Sequence, residues 1–416
     1  MNFKKFLRVT ILVILIGGLF AWIFPTILIM TGGIFGGQPF ETTFAMLMPQ
    51  LSGFTIIYLL ISTILSLFLL RKRNWIFYTV FVLGTILIVS NGLPLIYSQF
   101  ATKRYEDEFV QELETNYMAK IPENLKSQFR KQQFSLWNYY YGFHKFDCNM
   151  TLDIPYLTVN GDTFKFDLYR PLTGTGPFPI IIAIHGGGWR SGDKGVANMF
   201  QFNRYFANQG YVVCDIQYGL APDGYNMSDI VNQIGYFTKF LENHTSDYNI
   251  NLSCTFFLGR SAGAQLSLVC GLGYKNSLFQ NVFASSMRVA GIIEFYGPTN
   301  MNNTYKLFER RNELETFIFI MNGTPTSNPQ NYYKYSPINL VNGTSPPIII
   351  LHGMNDQLVY ISESEDLDRK CEDLATTCII LRFPFGGHGF DYLFQGQYCQ
   401  IATYYIERFI GYFANQ

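Results

Sequence analysis

Thr255-Phe256-Phe257-Leu258-Gly259-Arg260-Ser261-Ala262-Gly263-Ala264-Gln265-Leu266 is the stretch on which the reading of this chain turns. An apolar run, Thr255–Leu258, meets Gly259-x-Ser261-x-Gly263 and passes at once into a helical run, Ala262–Leu272. A serine hydroxyl is a weak nucleophile unless it is exposed beside a base. A sharp strand-to-helix turn lifts it above a sheet, and small neighbours permit that turn. Gly-x-Ser-x-Gly alone says little in a chain with 36 glycines, so the surrounding sequence decides.

On both sides of this stretch, short β-like runs alternate with helical ones. Strands are expected at Tyr156–Val159, Phe164–Tyr169, Pro179–Ile184, Tyr211–Tyr218, Thr255–Leu258, Val289–Phe295, Pro347–Leu351 and Cys378–Phe383, with helices at Ala197–Asn208, Ser228–Asn243, Ala262–Leu272 and Ser362–Ala375. Near-continuous apolar strands such as Ile181-Ile182-Ala183-Ile184 argue for a mostly parallel sheet covered by helices on both faces. Thr299–Asn342 breaks the rhythm and is expected to pack over the C-terminal edge of the sheet.

Three further motifs fall at expected strand ends. His185-Gly186-Gly187-Gly188-Trp189 closes the third strand. Its glycines let backbone N–H groups approach a developing oxyanion, joined by the N–H of Ala262; a plain glycine-rich turn is the competing reading. His388, in Gly386-Gly387-His388-Gly389-Phe390 after the last strand, is the candidate base among five histidines. His185 is expected to make a structural hydrogen bond and His352 to be a satisfied strand-end residue. His144 and His244 lie away from these strand ends. Asp356, in Leu351-His352-Gly353-Met354-Asn355-Asp356, is the candidate acid that would orient His388. Asp391, three residues from His388, and Glu294, inside a strand run, are its rivals.

These motifs carry a resemblance. From roughly Tyr156 to Phe413 the chain resembles the esterase/lipase group of α/β-hydrolases that includes hormone-sensitive-lipase-like and feruloyl-esterase-like enzymes. The resemblance rests on Phe166-Asp167-Leu168-Tyr169-Arg170-Pro171, His185–Trp189 with Gly192-Asp193-Lys194, Tyr218-Gly219-Leu220-Ala221-Pro222, Gly259–Gly263, and the Asp356 and His388 loops. It implies an α/β-hydrolase fold, Ser261 as nucleophile, His388 as base and Asp356 as acid, in the Ser, Asp, His order of that fold. It also implies an oxyanion hole from Gly186, Gly187, Gly188 and Ala262. The expected activity is hydrolysis of a small-molecule or lipid carboxylic ester through an acyl-enzyme, with no metal and no organic cofactor. Arg260 stands where many relatives carry an acidic or small residue, and Gly219 where Arg is common. A serine peptidase or an acyltransferase fits the same residues, and a non-catalytic membrane adaptor is the reading from another class.

The N-terminal part is of a different character. Three apolar runs, Phe6–Met30, Leu51–Leu70 and Trp75–Tyr97, each reach the roughly 20 residues that cross a bilayer. The first is too long for a cleaved signal peptide and is followed by two more. Prenylcysteine-methylesterase-like proteins, membrane-tethered esterases, look similar in outline. The expected organisation is a three-span anchor over 1–100, a polar helical stalk or packing arm over 101–150, and the catalytic body over 151–416. Lys4, Lys5 and Arg8 precede the first span and Arg71, Lys72 and Arg73 fill the second loop, whereas the first loop, Thr31–Thr43, has no basic residue. The positive-inside rule then puts the N-terminus in the cytoplasm and the body in a lumen or outside the cell. Asn-x-Ser/Thr sequons at Asn149, Asn226, Asn243, Asn251, Asn302, Asn322 and Asn342 all follow the third span, Asn322 being weakened by Pro325. Beyond residue 100 the chain has 24 basic and 29 acidic residues, a sign that offers nucleic acid no footprint. The seven cysteines include no Cys-x-x-Cys pair. Cys214 and Cys254 read as buried thiols, and Cys371, Cys378 and Cys399 leave room for one disulfide in an oxidising compartment. Oligomeric state is not legible.

Overall fold

Eight strands form one sheet in the order β1-β2-β4-β3-β5-β6-β7-β8. They are β1 (Asn149–Val159), β2 (Asp162–Arg170), β3 (Phe178–Ile184), β4 (Val212–Ile216), β5 (Ile250–Arg260), β6 (Val289–Phe295), β7 (Ile348–Gly353) and β8 (Cys378–Phe383). The β1–β2 and β2–β4 pairs are antiparallel, whereas β4, β3, β5, β6 and β7 run parallel. This computed structural model describes residues 3–33, 39–70, 72–197 and 199–414. Arg71 of the second loop and residues 34–38 of the first lie outside the described residues.

By its contacts the chain divides into two compact units, one comprising Met1–Lys103, Gly353–Leu358 and Arg382–Cys399, the other Arg104–His352, Val359–Leu381 and Gln400–Gln416. The first holds helices α1 (Phe3–Ala21), α2 (Ile23–Thr31), α3 (Pro39–Leu47), α4 (Ser52–Leu70) and most of α5 (Trp75–Leu113). By length and composition alone, Phe3–Thr31, Phe40–Leu70 and Trp75–Leu113 are long and apolar enough to cross a membrane. The break between α1 and α2 follows from Pro25, which has no N–H to offer the carbonyl of Ala21. The first loop is shorter than expected because α3 begins at Pro39, a residue suited to a helix start. Among these helices, Leu19, Leu59, Val80 and Leu87 are buried together. Asn91 Nδ2 donates across to Thr26 Oγ1 at 2.8 Å. The helix passes through Pro94 without interruption.

In the second unit both faces of the sheet are covered. Alternate residues of β3 (Ile180, Ile182, Ile184) pack with Ile230 and Ile234 of α7 (Met227–Asn243) and with Leu266 of α8 (Ala262–Gly273). On the opposite face Phe295 of β6 meets Phe202 of α6 (Met199–Asn208), their rings 6.1 Å apart. The interruption over 299–342 contains α9 (Met301–Arg310) and α10 (Leu314–Met321). Beyond it come α11 (Ser362–Asp373) and the C-terminal helix α12 (Gln397–Phe413). The segment expected as a stalk or packing arm from residue 101 begins as a continuation of α5. It stays helical despite its charge because Tyr105, Phe109 and Leu113 are buried on one face. Tyr105 and Phe109 lie 5.6 and 5.1 Å from the Tyr405 ring of α12. Arg130, further along the same arm, donates its backbone N–H to the buried Glu407 at 2.7 Å and its guanidinium to Gln400 at 2.7 Å. Burial raises the Glu407 carboxyl above its ordinary pKa, while Arg408 and the hydrogen bonds of Tyr205 and Gln209 oppose the rise.

Candidate active site

Ser261 occupies the turn between β5 and α8 with φ 54° and ψ −121°. A β-carbon residue held there costs on the order of 1–3 kcal/mol, so the surrounding packing must enforce it. Gly263 packs so closely under the carbonyls of Ile184 and His185 that a Cβ has no room, and a Cβ on Gly259 would strike the Gly263 carbonyl. Backbone bonds from Ser261 N to Phe295 O (2.9 Å) and from Ala264 N to Ser261 O (2.9 Å) complete the turn. Ala262 opens α8, where the first N–H groups of a helix have no intrahelical acceptor. Every residue of α8 is buried.

The His185–Trp189 segment lies against this turn. A Cβ on Gly186 would be 2.7 Å from the Arg260 carbonyl oxygen and 3.2 Å from the Ser261 Cβ. Gly187 accepts at its carbonyl from the N–H groups of Arg190 and Ser191, both at 3.1 Å. Trp189 is buried; its Nε1 donates to Gln265 Oε1 at 3.1 Å, and its carbonyl accepts from Ala221 N at 2.9 Å. Gln265 in turn donates to the Tyr335 carbonyl at 2.9 Å. Sequence reasoning missed Gln265, a polar side chain four residues past Ser261 on a helix otherwise poor in polar groups. His185 stacks on Tyr218 at 4.3 Å, and its Nδ1 meets the Gly186 carbonyl at 2.7 Å. Burial lowers its pKa, which favours the neutral ring of a structural residue. Further along the loop, Gly195 N donates to Asp215 Oδ2 at 2.8 Å, and Lys194 reaches Asp153 and Asp167 at 2.7 and 3.4 Å.

In the other unit, His388 Nδ1 and Asp356 Oδ2 are 2.8 Å apart, with the Asp356 side chain fully buried. Leu358 N donates to Asp356 Oδ1 at 2.7 Å. The loop is closed by Asn355 N to Gly386 O at 2.9 Å and Met354 N to Phe383 O at 2.9 Å. A carboxylate on Nδ1 selects the tautomer whose lone pair lies on Nε2, the arrangement a general base needs. Glu294 accepts from Gly297 N inside the sheet. His352 is bonded at both ring nitrogens, to Ser364 Oγ (2.6 Å) and to the Val359 carbonyl (2.9 Å).

The two departures from the family pattern have physical explanations. Arg260 is buried between the rings of Phe202 and Phe295, 4.8 and 4.7 Å from its guanidinium. Gly219 abuts the Tyr225 ring so tightly that no Cβ fits. Among the sequons, Asn149, Asn243, Asn302, Asn322 and Asn342 are exposed. Asn226 is half-buried and caps α7 through Ser228 N and Asp229 N, and Asn251 is half-buried at the start of β5. All seven cysteines are free thiols.

Comparison with known proteins agrees with the fold. The BD-FAE family matches residues 166–371. A kynurenine formamidase of Salmo salar is 30% identical over 53% of this chain and 68% of its own length. The chain belongs to the α/β-hydrolase family. A probable carboxylic ester hydrolase of Mycobacterium tuberculosis, LipM, is 25% identical over 60% of this α/β-hydrolase and 58% of that protein. The chain spans about half the length of the esterase relatives it matches first. Among solved structures, an inhibited esterase B from Lactobacillus rhamnosis superposes with a TM-score of 0.53 at 17% identity, over 74% of this chain and 95% of that one. That likeness speaks for the fold.

Proposed function

We propose that this α/β-hydrolase is a membrane-anchored carboxylic-ester hydrolase working through an acyl-enzyme. Ser261 Oγ attacks the ester carbonyl carbon while His388 Nε2 takes its proton, and Asp356 stabilises the resulting imidazolium. The tetrahedral oxyanion is met by backbone N–H groups of the Gly186–Gly188 loop and of Ala262. Collapse of the intermediate expels the alcohol, which takes the proton back from His388. Water then repeats the sequence on the acyl-serine and restores Ser261. The observation that carries this reading is the positive-φ backbone at Ser261, a strained position in the Gly-x-Ser-x-Gly turn between a strand and a helix. A second reading, hydrolysis of an amide, is favoured by the similarity to a formamidase, and the same atoms would carry it.

Labelling of the full chain with a fluorophosphonate, followed by assay on p-nitrophenyl esters, lipid esters and amides, tests the proposal. We expect one labelled serine, lost in Ser261→Ala together with ester turnover. Equal labelling in that variant would move the nucleophile elsewhere, and turnover of amides alone would favour the second reading.

We further propose that the three apolar helices span a membrane, with Lys4, Lys5, Arg8 and the Arg71–Arg73 loop cytoplasmic and the catalytic body on the far side. The absence of basic residues from the first loop supports this orientation, and the exposed sequons agree with it. Protease protection of the body in sealed, cytoplasm-out vesicles is the expected result; digestion without detergent would reverse the orientation.

A further inference from the structure

Helix α3 and the Pro49–Leu51 turn after it support the loop that carries His388. The glycines on either side of the ring both face α3. A Cβ on Gly387 would lie 2.9 Å from the Ala45 carbonyl oxygen, and one on Gly389 would lie 2.8 Å from Met46 Sδ. Gln50, fully buried in the turn, completes the contact. Its Nε2 donates to the carbonyls of Met46 and Gly389, the latter at 3.3 Å, and its Oε1 accepts from Leu393 N at 2.8 Å. Gln397 Nε2 donates to the Pro49 carbonyl from the same segment. On the acid side, Asn355 Nδ2 donates to the carbonyls of Ile29 and Met30, at 3.2 and 3.4 Å, near the end of α2. Gln50 bridges backbone groups far apart in sequence, and Asn355 and Gln397 each tie their own segment to a distant one. Leaving a buried donor or acceptor of Gln50 unsatisfied would cost about 1–3 kcal/mol.

We infer that Gln50 is a positioning residue for the catalytic base: by tying Gly389 and Leu393 to the head of the second span, it fixes the ring of His388 against Asp356. The inference rests on the assignment of His388 as base. It makes the anchor part of the catalytic machinery as well as a tether. Gln50 itself touches no reacting atom; it acts through the backbone on which the imidazole is mounted.

The test uses the full chain in detergent micelles and a short soluble p-nitrophenyl ester. Gln50→Leu is expected to lower kcat by about 10- to 100-fold, the range that a displacement of about 1 Å produces. KM should stay within about twofold, because ground-state binding is untouched. In a His388→Ala background the same substitution should change the residual rate by less than about twofold, since its route of action is already gone. Gln50→Glu retains the acceptor for Leu393 N and loses both donors. It should show a smaller loss of the same kind, and it replaces Gln50→Leu if that variant fails to accumulate. Wild-type turnover in both Gln50 variants would overturn the inference, as would a loss that persists at full size without His388. Wild-type turnover in His388→Ala alone would instead remove the base assignment, and this inference with it.

Discussion

Ser261 and His388 are held by opposite means. The turn around Ser261 is a local device: Gly259 and Gly263 lie two residues to either side, and the bonds that close it run to adjacent strands of one sheet. The loop around His388 has no such self-sufficiency. It leans on Ala45, Met46 and Gln50, and the Gln50 bonds reach 339 and 343 positions along the chain. A nucleophile needs only to be exposed at a fixed point above a sheet. A general base must also hold its ring at an angle, and that requires support from outside its own loop. The first kind of site survives in any chain that keeps the strand and the helix; the second depends on whatever the protein places beside the loop.

The largest expected effect that bears on this difference is at Asp356. Asp356→Asn removes the charge opposite His388 Nδ1 and presents an amide that permits the wrong tautomer, so turnover should fall on the order of 10⁴-fold. Asp391→Asn should leave turnover within about tenfold of wild type, because a carboxylate three residues past His388 is poorly placed to reach the far nitrogen of its ring. Steady-state kinetics on a p-nitrophenyl ester distinguish the two. A reversal would hand the role of orienting acid to Asp391.

The same contrast explains what the sequence made legible. All eight strands are read, but β5 begins five residues before its expected start and β1 seven before its own; in the first half of β1, Asn149–Pro155, the alternating Met150, Leu152 and Ile154 are exposed or only partly buried. The elbow, the His185–Trp189 loop and the Asp356–His388 pair are legible because each follows an apolar run at its expected end. Three features escape. Helix α3 hides within what reads as a loop, since Glu41, Thr42 and Thr43 interrupt its apolar pattern. Helix α12 mixes Tyr, Gln, Thr and Glu with apolar residues, and its buried Gln400 and Glu407 accept hydrogen bonds from Arg130, Ser135, Tyr205 and Gln209, all distant in sequence. The continuation of α5 past residue 100 looks like a polar stalk until Tyr405 is seen against Tyr105 and Phe109. In each case long-range partners, which no window of sequence contains, decide the outcome.

An intermediate effect is expected at Gly387. Gly387→Ala places a methyl group 2.9 Å from the Ala45 carbonyl oxygen, a backbone atom that cannot step aside without moving α3. Overpacking of this kind costs about 1–3 kcal/mol, and here the strain falls on the loop that mounts the base. Turnover should drop about tenfold while fluorophosphonate labelling still reports a folded elbow, slowed in proportion. Normal kinetics would show that the His388 loop tolerates displacement and would weaken the contrast with Ser261.

The smallest effect belongs to the elbow side and concerns a group outside the chemistry. Asp215 lies buried in β4 opposite Asp167 of β2, accepts at Oδ2 from Gly195 N and Asn203 Nδ2 (both 2.8 Å), and has no hydrogen-bond partner at Oδ1 among the described residues. Burial pushes its carboxyl up to about 7; the hydrogen bonds from Gly195 and Asn203 oppose the rise, Asp167 adds to it, and the charge of Arg260 opposes it. The sign follows from proton counting. Between about pH 4 and 7 the folded chain holds a proton that the unfolded chain has released, so the contribution of this group to stability falls as pH rises and is fully lost above 7. Asp215→Asn removes that titration. Its amide leaves a donor unsatisfied at the Oδ1 position, a cost of about 1–3 kcal/mol that does not vary with pH. The melting temperature of the wild type should therefore fall further between pH 5 and pH 7.5 than that of the variant, by about 2–4 °C for each kcal/mol involved. Esterase activity at a single pH should change little, since Gly195 ends the loop and Gly186–Gly188, the proposed oxyanion glycines, begin it. Melting curves that shift in parallel with pH would show that Asp215 is ionised throughout. The Gly195 anchor would then be a charge-assisted bond, and the elbow side would depend on electrostatics from beyond its own turn, as the His388 side does.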